Sequence, residues 1–554
     1  LGFVVALLIR WWQTPMLLVR RIQSLPQHPF IQVYTNHNPA AQYREPYRDQ
    51  TRPGDDLEQV IVDHIHQART SIDVAVQEFR SPLIAQALRE RHRAGVRVRV
   101  VLENIYSRPW SSFTTTEVQQ LDARLQSRYR ENLRLIDRDG NGQLSAHEIN
   151  TYDALHVIRQ AGIPWLDDRA DGSAGSGLMH HKFVVIDGKQ VIVTSANFTM
   201  SDLHGDFVPS QSLGNANSLL VIQSTALAAH FTNEFAILWG DGPGGKADSR
   251  FSVQKSFRPA ATVAVGDATV QVKFSPTPAD VPWEFSSNGL IARTLAQSRK
   301  TIDLALFVFS DQQIANQLET TAQQGASIRV LIEPSFAYQF YSEALDLLGV
   351  ALPARRRTSQ AEEVEPSGEG EDRSDRLCPI ESHNHPWTKP LQTVGITQLP
   401  PGDLLHHKFG VMDGRTVIMG SHNWTEAADH QNDETLLVIE HPTITAHYQR
   451  EYERLWANSR LGLPSKIREV AQVLAQQCST ATGQPTATSA PTQRLNLNTA
   501  SLFELEQLPG IGPTLAQRII EARQQKPFQS WSDLDRIPGV GFKVLEQIRD
   551  HVTW

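Results

Sequence analysis

The sequence predicts an α/β protein built from two copies of one unit, with a small all-α domain behind them. Three observations lead there. The stretch His180-His181-Lys182-Phe183-Val184-Val185-Ile186-Asp187 returns as His406-His407-Lys408-Phe409-Gly410-Val411-Met412-Asp413. Residues 68–103 can be laid on 298–333 at one constant offset (303 − 73 = 230), which pairs Ile72-Asp73 with Ile302-Asp303, Phe79 with Phe309 and Gly95 with Gly325. Beyond a Thr-, Ala-, Ser-, Pro- and Gln-rich stretch at 479–493, residues 494–554 turn to helical spacing punctuated by glycine pairs.

A chain of 554 residues is too long for one hydrophobic core. Its 40% hydrophobic and 20% charged content is ordinary for a globular protein. The net charge of −8 gives no global attraction to nucleic acid or anionic lipid, so any polyanion must be met by local patches. Two cysteines, Cys378 and Cys478, fall in loop or linker sequence and identify no compartment. Leu1 to Ile9 is apolar but too short to span a bilayer. It reads as a truncated signal, an interfacial anchor or a buried helix, so localisation stays open, with export or membrane association on the first two readings.

Taken in order, Ile31–Tyr34 is a short apolar segment and 57–68 carries apolar residues at helical spacing. Strand 71–76, helix 82–94 and strand 96–102 form a βαβ-like unit. After each His-x-Lys, a buried strand runs into Asp-Gly (Asp187-Gly188, Asp413-Gly414), a tight turn leading to a second strand at 191–193 or 417–419. The period of two along an extended chain sets imidazole and ammonium on one side, and His181 and His407 on the other, as packed histidines. Ser195 and Asn197, or Ser421 and Asn423, leave the second strand at the histidine end, so each copy gathers an acid or nucleophile, a cation and polar donors.

Two insertions break the symmetry. At 137–148, Asp137, Asp139, Asn141, Gln143, Ser145 and Glu148 stand at loop positions one, three, five, seven, nine and twelve, with Gly142 at six. This run resembles an EF-hand calcium loop, which implies bound calcium there, and helices at 116–133 and 149–161 are expected to flank it. The second insertion, 355–400, holds Arg355-Arg356-Arg357 and an acidic tract without periodicity, and reads as a solvated loop.

The paired motifs, followed by Thr194-Ser195-Ala196-Asn197 and Gly420-Ser421-His422-Asn423, resemble the phospholipase D superfamily over roughly residues 31–460. That resemblance implies two phospholipase-D-like α/β/α sandwich halves with pseudo-twofold symmetry and both motifs facing one pocket. It also implies a metal-free phosphodiesterase with no cofactor for catalysis. One of His180 and His406 attacks phosphorus, giving a phosphohistidine, and the other protonates the leaving oxygen. Lys182 and Lys408 neutralise the non-bridging oxygens, and Asn197 and Asn423, with Ser195 and Ser421 beside them, donate hydrogen bonds. Asp187 and Asp413 are taken as structural supports.

In the family a downstream acidic residue holds the histidine. Glu434 fits that place in the second half and is expected behind His406, whereas aligning Leu219–Ile222 with Leu436–Ile439 puts Asn217 at the matching place in the first. Family custom assigns the attack to His180, while a carboxylate behind His406 would favour His406. The assignment adopted is His180.

The last segment carries Leu508-Pro509-Gly510-Ile511-Gly512 and Ile537-Pro538-Gly539-Val540-Gly541 between helical stretches at 513–524 and 542–551. A Gly-x-Gly bend before a helix lets backbone N–H groups face a phosphate. The segment resembles the tandem helix-hairpin-helix domain at the end of competence DNA receptors, which implies DNA as partner through Gly510, Ile511, Gly512, Gly539, Val540 and Gly541. Its seven basic residues (Arg494, Arg518, Arg523, Lys526, Arg536, Lys543, Arg549) are matched by seven acidic ones, so electrostatic affinity is modest.

The expected organisation is therefore an apolar and basic segment at 1–30, a first half at 31–250 with the EF-hand-like insertion at about 116–161, a second half at 251–466 with its insertion at about 355–400, a helix end and linker at 467–493, and the terminal domain at 494–554. A phosphodiesterase acting on nucleic acid is the leading function. Two others stand beside it: a phospholipase D acting on a membrane surface, and a catalytically weak DNA-binding or docking protein.

Overall fold

The computed structural model describes residues 22–173, 177–352 and 384–479, and in the C-terminal segment 495–500, 505, 508, 511, 513–528, 531–534, 537, 540, 548 and 552–553. The first half comprises β1 (Ile31–Thr35), α1 (Leu57–Gln67), β2 (Ser71–Val76), α2 (Pro82–Arg93), β3 (Arg97–Leu102), α3 (Ala123–Ile136), α4 (Ala146–Tyr152), α5 (Ala154–Gln160), β4 (Trp165–Asp167), β5 (Lys182–Ile186), β6 (Gln190–Thr194), β7 (Ser218–Gln223) and α6 (Thr225–Trp239). Its strands form one seven-stranded sheet, ordered β1-β7-β6-β5-β2-β3-β4.

The second half repeats this with β8 (Ala261–Val265), β9 (Ala268–Phe274), α7 (Ser287–Ala296), β10 (Thr301–Leu306), α8 (Gln312–Gln323), β11 (Ser327–Ile332), β12 (Val394–Thr397), β13 (Lys408–Met412), β14 (Thr416–Gly420), β15 (Thr435–Glu440), α9 (Pro442–Ala457) and β16 (Ser459–Leu461). Its sheet runs β8-β9-β15-β14-β13-β10-β11-β12-β16. Remove the two edge strands β8 and β16, and the seven that remain follow the first sheet's order strand for strand.

In both sheets the parallel βαβ unit lies next to antiparallel strands. β2 pairs in parallel with β3 and antiparallel with β5, and β10 does the same with β11 and β13. The strands read as continuous apolar runs because both faces are covered. Between the sheets one core is shared by the halves: Phe183, Phe231 and Phe235 of the first join Phe409, Tyr448 and Tyr452 of the second. Each half keeps its own outer core under α1 and α2, or under α7 and α8. The duplicated α/β/α reading holds.

The helices flanking the acidic loop differ in extent from the expected ones. The stretch at 116–133 is broken into Thr115–Gln120 and α3, because Asp122 turns its carboxylate onto the Leu125 N–H and starts a new helix. The other begins earlier, at Ala146, and is divided by Asp153, which caps α5.

At the C-terminus α10 (Ser465–Ser479) precedes the last segment, where α11 (Pro513–Gln525) packs into a small core with Leu497, Phe528, Leu534 and Ile548. Leu495–Asn496 pairs in parallel with Val552–Thr553, joining the two ends of that segment. Among the described residues no helix is long and apolar enough to cross a membrane. The apolar stretch at 1–9, the arginine triplet and Cys378 lie outside the described residues.

Candidate active site

β5 and β13 each begin at the lysine of a motif, so each histidine sits just ahead of a strand end, where the two sheets meet. Two short pieces of cross-half pairing fix that meeting. Met179 bridges Asp433 and Ala216 bridges Leu405. The His180 N–H donates to the Asp433 carbonyl at 3.0 Å, and the Ala216 N–H to the Leu404 carbonyl at 2.8 Å.

This pairing exchanges the supports. Glu434 holds His180 of the other half, its carboxylate 2.8 Å from Nδ1, whereas the expectation had put it behind His406. His406 Nδ1 instead lies 3.0 Å from Asn217 Oδ1. The cause is positional: Asp433 and Ala216 are clamped beside the opposite motif, so the next residue in each chain segment faces the opposite imidazole. Asn217 Nδ2 is turned toward the carbonyls of Asn215 and Asp202, which leaves its oxygen for the imidazole.

Ser195 and Ser421 also serve differently from the expectation. Ser195 Oγ donates to Asn217 Oδ1 at 2.8 Å, and Ser421 Oγ to the Glu434 carboxylate at 2.6 Å. Both hydroxyls accept a backbone N–H as well, from Ser218 and Thr435, so they orient the supports and are not free for a phosphate. Asn197 and Asn423 sit at corresponding places, each with a buried amide oxygen that has no hydrogen-bond partner.

Lys182 Nζ donates to the His180 carbonyl at 2.9 Å and Lys408 Nζ to the His406 carbonyl at 2.6 Å. Both side chains are buried, and burial holds Lys182 down to about 8. Lys408 is pushed well below the usual lysine range by burial, then by the charge of Lys182. The imidazoles of His180 and His406 are likewise held well below the ordinary histidine value, by burial first and then by the two lysines. Among the described residues no carboxylate forms an ion pair with Lys182 or Lys408, so two neighbouring buried amines suit an anionic ligand.

His181 and His407 point to the sheets' other side. His181 Nδ1 meets Thr435 Oγ1 at 2.9 Å, and His407 Nε2 meets Glu451 at 2.9 Å, so both are packed histidines. Asp187 and Asp413 lie at the far ends of the strands, where Asp187 accepts the N–H groups of Arg69, Thr70 and Ser71, and Asp413 those of Arg299, Lys300 and Thr301. They brace the turn before β2 or β10.

Sequence reasoning missed Asp202. It is buried, 3.7 Å from His406 Nδ1, and accepts the Asn197 N–H at 2.7 Å and Asn215 Nδ2 at 2.6 Å. It lies in the short helix Met200–Leu203, outside both motifs, and the residue two places beyond Met200 carried no signal of its own.

The acidic loop brings the Asp137, Asp139 and Glu148 carboxylates within 4.8 Å of one another. Gly140 and Gly142 take φ of +68° and +79°, which a Cβ would oppose. Asn141 N–H donates to Asp139 at 3.0 Å, Gln143 N–H to Asn141 Oδ1 at 2.7 Å, and Ser145 and Glu148 form a capping box at the start of α4. The set of hard oxygen donors fits a calcium ion.

In the terminal segment Ile511 and Val540 are buried in the small core, so their side chains face inward and contact with DNA there would be through main chain. Gly510, Gly512, Gly539 and Gly541 lie outside the described residues.

Residues 61–239 and 291–456 match the family described as cardiolipin synthase, PLD-like domain. The chain belongs to this PLD-like family. Residues 491–553 match the helix-hairpin-helix motif. This PLD-like chain is 25% identical over 181 residues to the mitochondrial cardiolipin hydrolase of Mus musculus, a match spanning 32% of this chain and 62% of that protein. It is 38% identical over 60 residues to ComE operon protein 1 of Bacillus subtilis (strain 168), covering 11% of this chain and 29% of the other. Phosphatidylserine synthase of Haemophilus influenzae Rd KW20 aligns over 82% of this chain and 95% of its own at 12% identity, with a TM-score of 0.47. The chain spans less than two thirds of the length of the curated relatives it matches.

Proposed function

We propose that the chain is a phospholipase-D-superfamily phosphodiesterase that hydrolyses nucleic acid through a phosphohistidine on His180. The contact between His180 Nδ1 and the Glu434 carboxylate carries the chemical part. A carboxylate acceptor keeps the proton on Nδ1, leaves the Nε2 lone pair for phosphorus and stabilises the positive charge that the imidazole gains on attack. His406, held by an amide oxygen, is the weaker base and serves as acid, giving its Nε2 proton to the leaving oxygen. The same nitrogen then takes a proton from the water that displaces His180.

Burial and the two lysines disfavour the protonated form of His406, and a phosphodiester seated between Lys182 and Lys408 would supply the negative charge that restores it. Asn197 and Asn423 donate to the non-bridging oxygens as charge develops there. The helix-hairpin-helix segment supports nucleic acid as substrate, brought by backbone contacts to the C-terminal domain. The acidic loop would hold a calcium ion through Asp137, Asp139, Asn141, Gln143, Ser145 and Glu148, where it would brace the insertion.

A lipid phosphodiester is the second reading, favoured by the name of the mouse relative. Purified protein offered single-stranded DNA, duplex DNA and phospholipid vesicles, each with and without chelator, separates the two. Strand cleavage without lipid turnover is the expected result; lipid turnover without strand cleavage would overturn the nucleic-acid reading.

A further inference from the structure

Equivalent positions beside the two lysines differ in kind. Gln77 and Phe307 (307 − 77 = 230) directly follow β2 and β10. Gln77 Oε1 accepts from Lys182 Nζ at 3.3 Å. The Phe307 ring instead lies 4.7 Å from Lys408 Nζ and 4.8 Å from the His406 ring. The next residue in the first half is Glu78, paired with Arg128 of α3 at 2.7 Å; its counterpart is Val308, which has no charge.

The loops after β3 and β11 continue the contrast. Tyr106 and Phe336 are again equivalents (336 − 106 = 230). Arg128 of the insertion lies over the Tyr106 ring at 5.4 Å, so a cation stands on the first-half aromatic, which is half-buried. Phe336 meets Phe307 edge to face at 4.9 Å, and both rings remain half-buried. One flank of the site thus carries an amide and the Glu78–Arg128 ion pair, the other two touching aromatic rings.

We propose that Phe307 and Phe336 form a stacking seat for a nucleobase on the His406 side of the scissile phosphodiester. The proposal rests on the nucleic-acid reading and assigns the base to the nucleoside whose oxygen leaves first. Every base has a π-face, so such a seat binds without selecting sequence. A quaternary ammonium headgroup also seeks aromatic faces, but the Lys408 ammonium already stands over Phe307 and would repel it.

The test uses the full chain and single-stranded DNA with one abasic position, so that distant bonds serve as internal controls. In the wild-type protein, cleavage of the bond on one side of the abasic position should fall about tenfold relative to the control bonds. Phe336→Leu should slow the control bonds by a similar factor and leave the abasic-adjacent bond unchanged. Equal cleavage of all bonds by the wild-type protein, or an equal loss at both kinds of bond in Phe336→Leu, would overturn the seat while leaving the nuclease reading intact. Cleavage of phosphatidylcholine vesicles with no cleavage of DNA would overturn both.

Discussion

The two halves share a strand order and a motif, yet their histidines are not equivalent. His180 rests on a carboxylate and His406 on an amide with a carboxylate 3.7 Å away. Duplication has kept the donors and cations in both copies and differentiated what stands behind the imidazoles. On the proposed mechanism this difference would divide the roles: a supported imidazole suits attack, while one without a direct carboxylate gives up its proton more readily.

The sharpest break of the comparison is at the histidines themselves. His180→Ala and His406→Ala should each lower kcat by about 10⁴-fold, in line with general acid–base and covalent contributions. Only His406→Ala should still accumulate protein-bound phosphate after an alkaline quench, which preserves a phosphoramidate. Label retained by His180→Ala would exchange the roles.

Next in size are the supports. Glu434→Gln should lower kcat by about a hundredfold or more by allowing the wrong tautomer of His180. Asn217→Ala should cost about tenfold or less, because Asp202 remains near His406. Measured kcat values in the reverse order would place the attack on His406.

The lysines test the anion site through pH. The folded value of Lys182 is lowered, so between about 8 and its unfolded value of 10.5 the unfolded chain binds more protons, and stability of the free protein rises with pH there. In denaturant titrations Lys182→Met should flatten that rise, with an upper bound of ~3.4 kcal/mol. Substrate affinity should move the opposite way, weakening above pH 8 as the ammonium is lost, and a KM that is flat across that range would count against the lysine as an anion ligand.

The smallest effect is expected at the acidic loop, present in one half alone. Calcium at about a hundred times its Kd should stabilise the protein by ~2.7 kcal/mol, read as a rise in Tm. Glu148→Gln should remove that rise and leave kcat on DNA nearly unchanged.

Much of this was legible in the sequence because it is local. The offset of 230 recovers the βαβ unit, and the period of two separates His180 from His181 and His406 from His407. The supports were identified as residue types, Glu434 and Asn217, but given to the wrong histidines. Alignment matches a residue with its counterpart in the other copy; it carries no information on which imidazole that residue faces once Met179 pairs with Asp433 and Ala216 with Leu405. Asp202 escaped for a related reason, since its position depends on how the Thr199-capped turn folds back. The serines were misjudged because their sequence neighbours suggested a phosphate ligand, while their hydroxyls are taken up by side chains and N–H groups across β7 and β15.

The reciprocal bridging of the halves also bears on how such a protein can change. Each copy lends the other the group that aligns its imidazole, so neither copy is a self-sufficient enzyme, and a substitution at 434 is felt at 180 rather than at 406. A separately produced half should be inert. The two copies thus work as a partnership, the carboxylate that touches one imidazole being lent by the half that does not contain that imidazole.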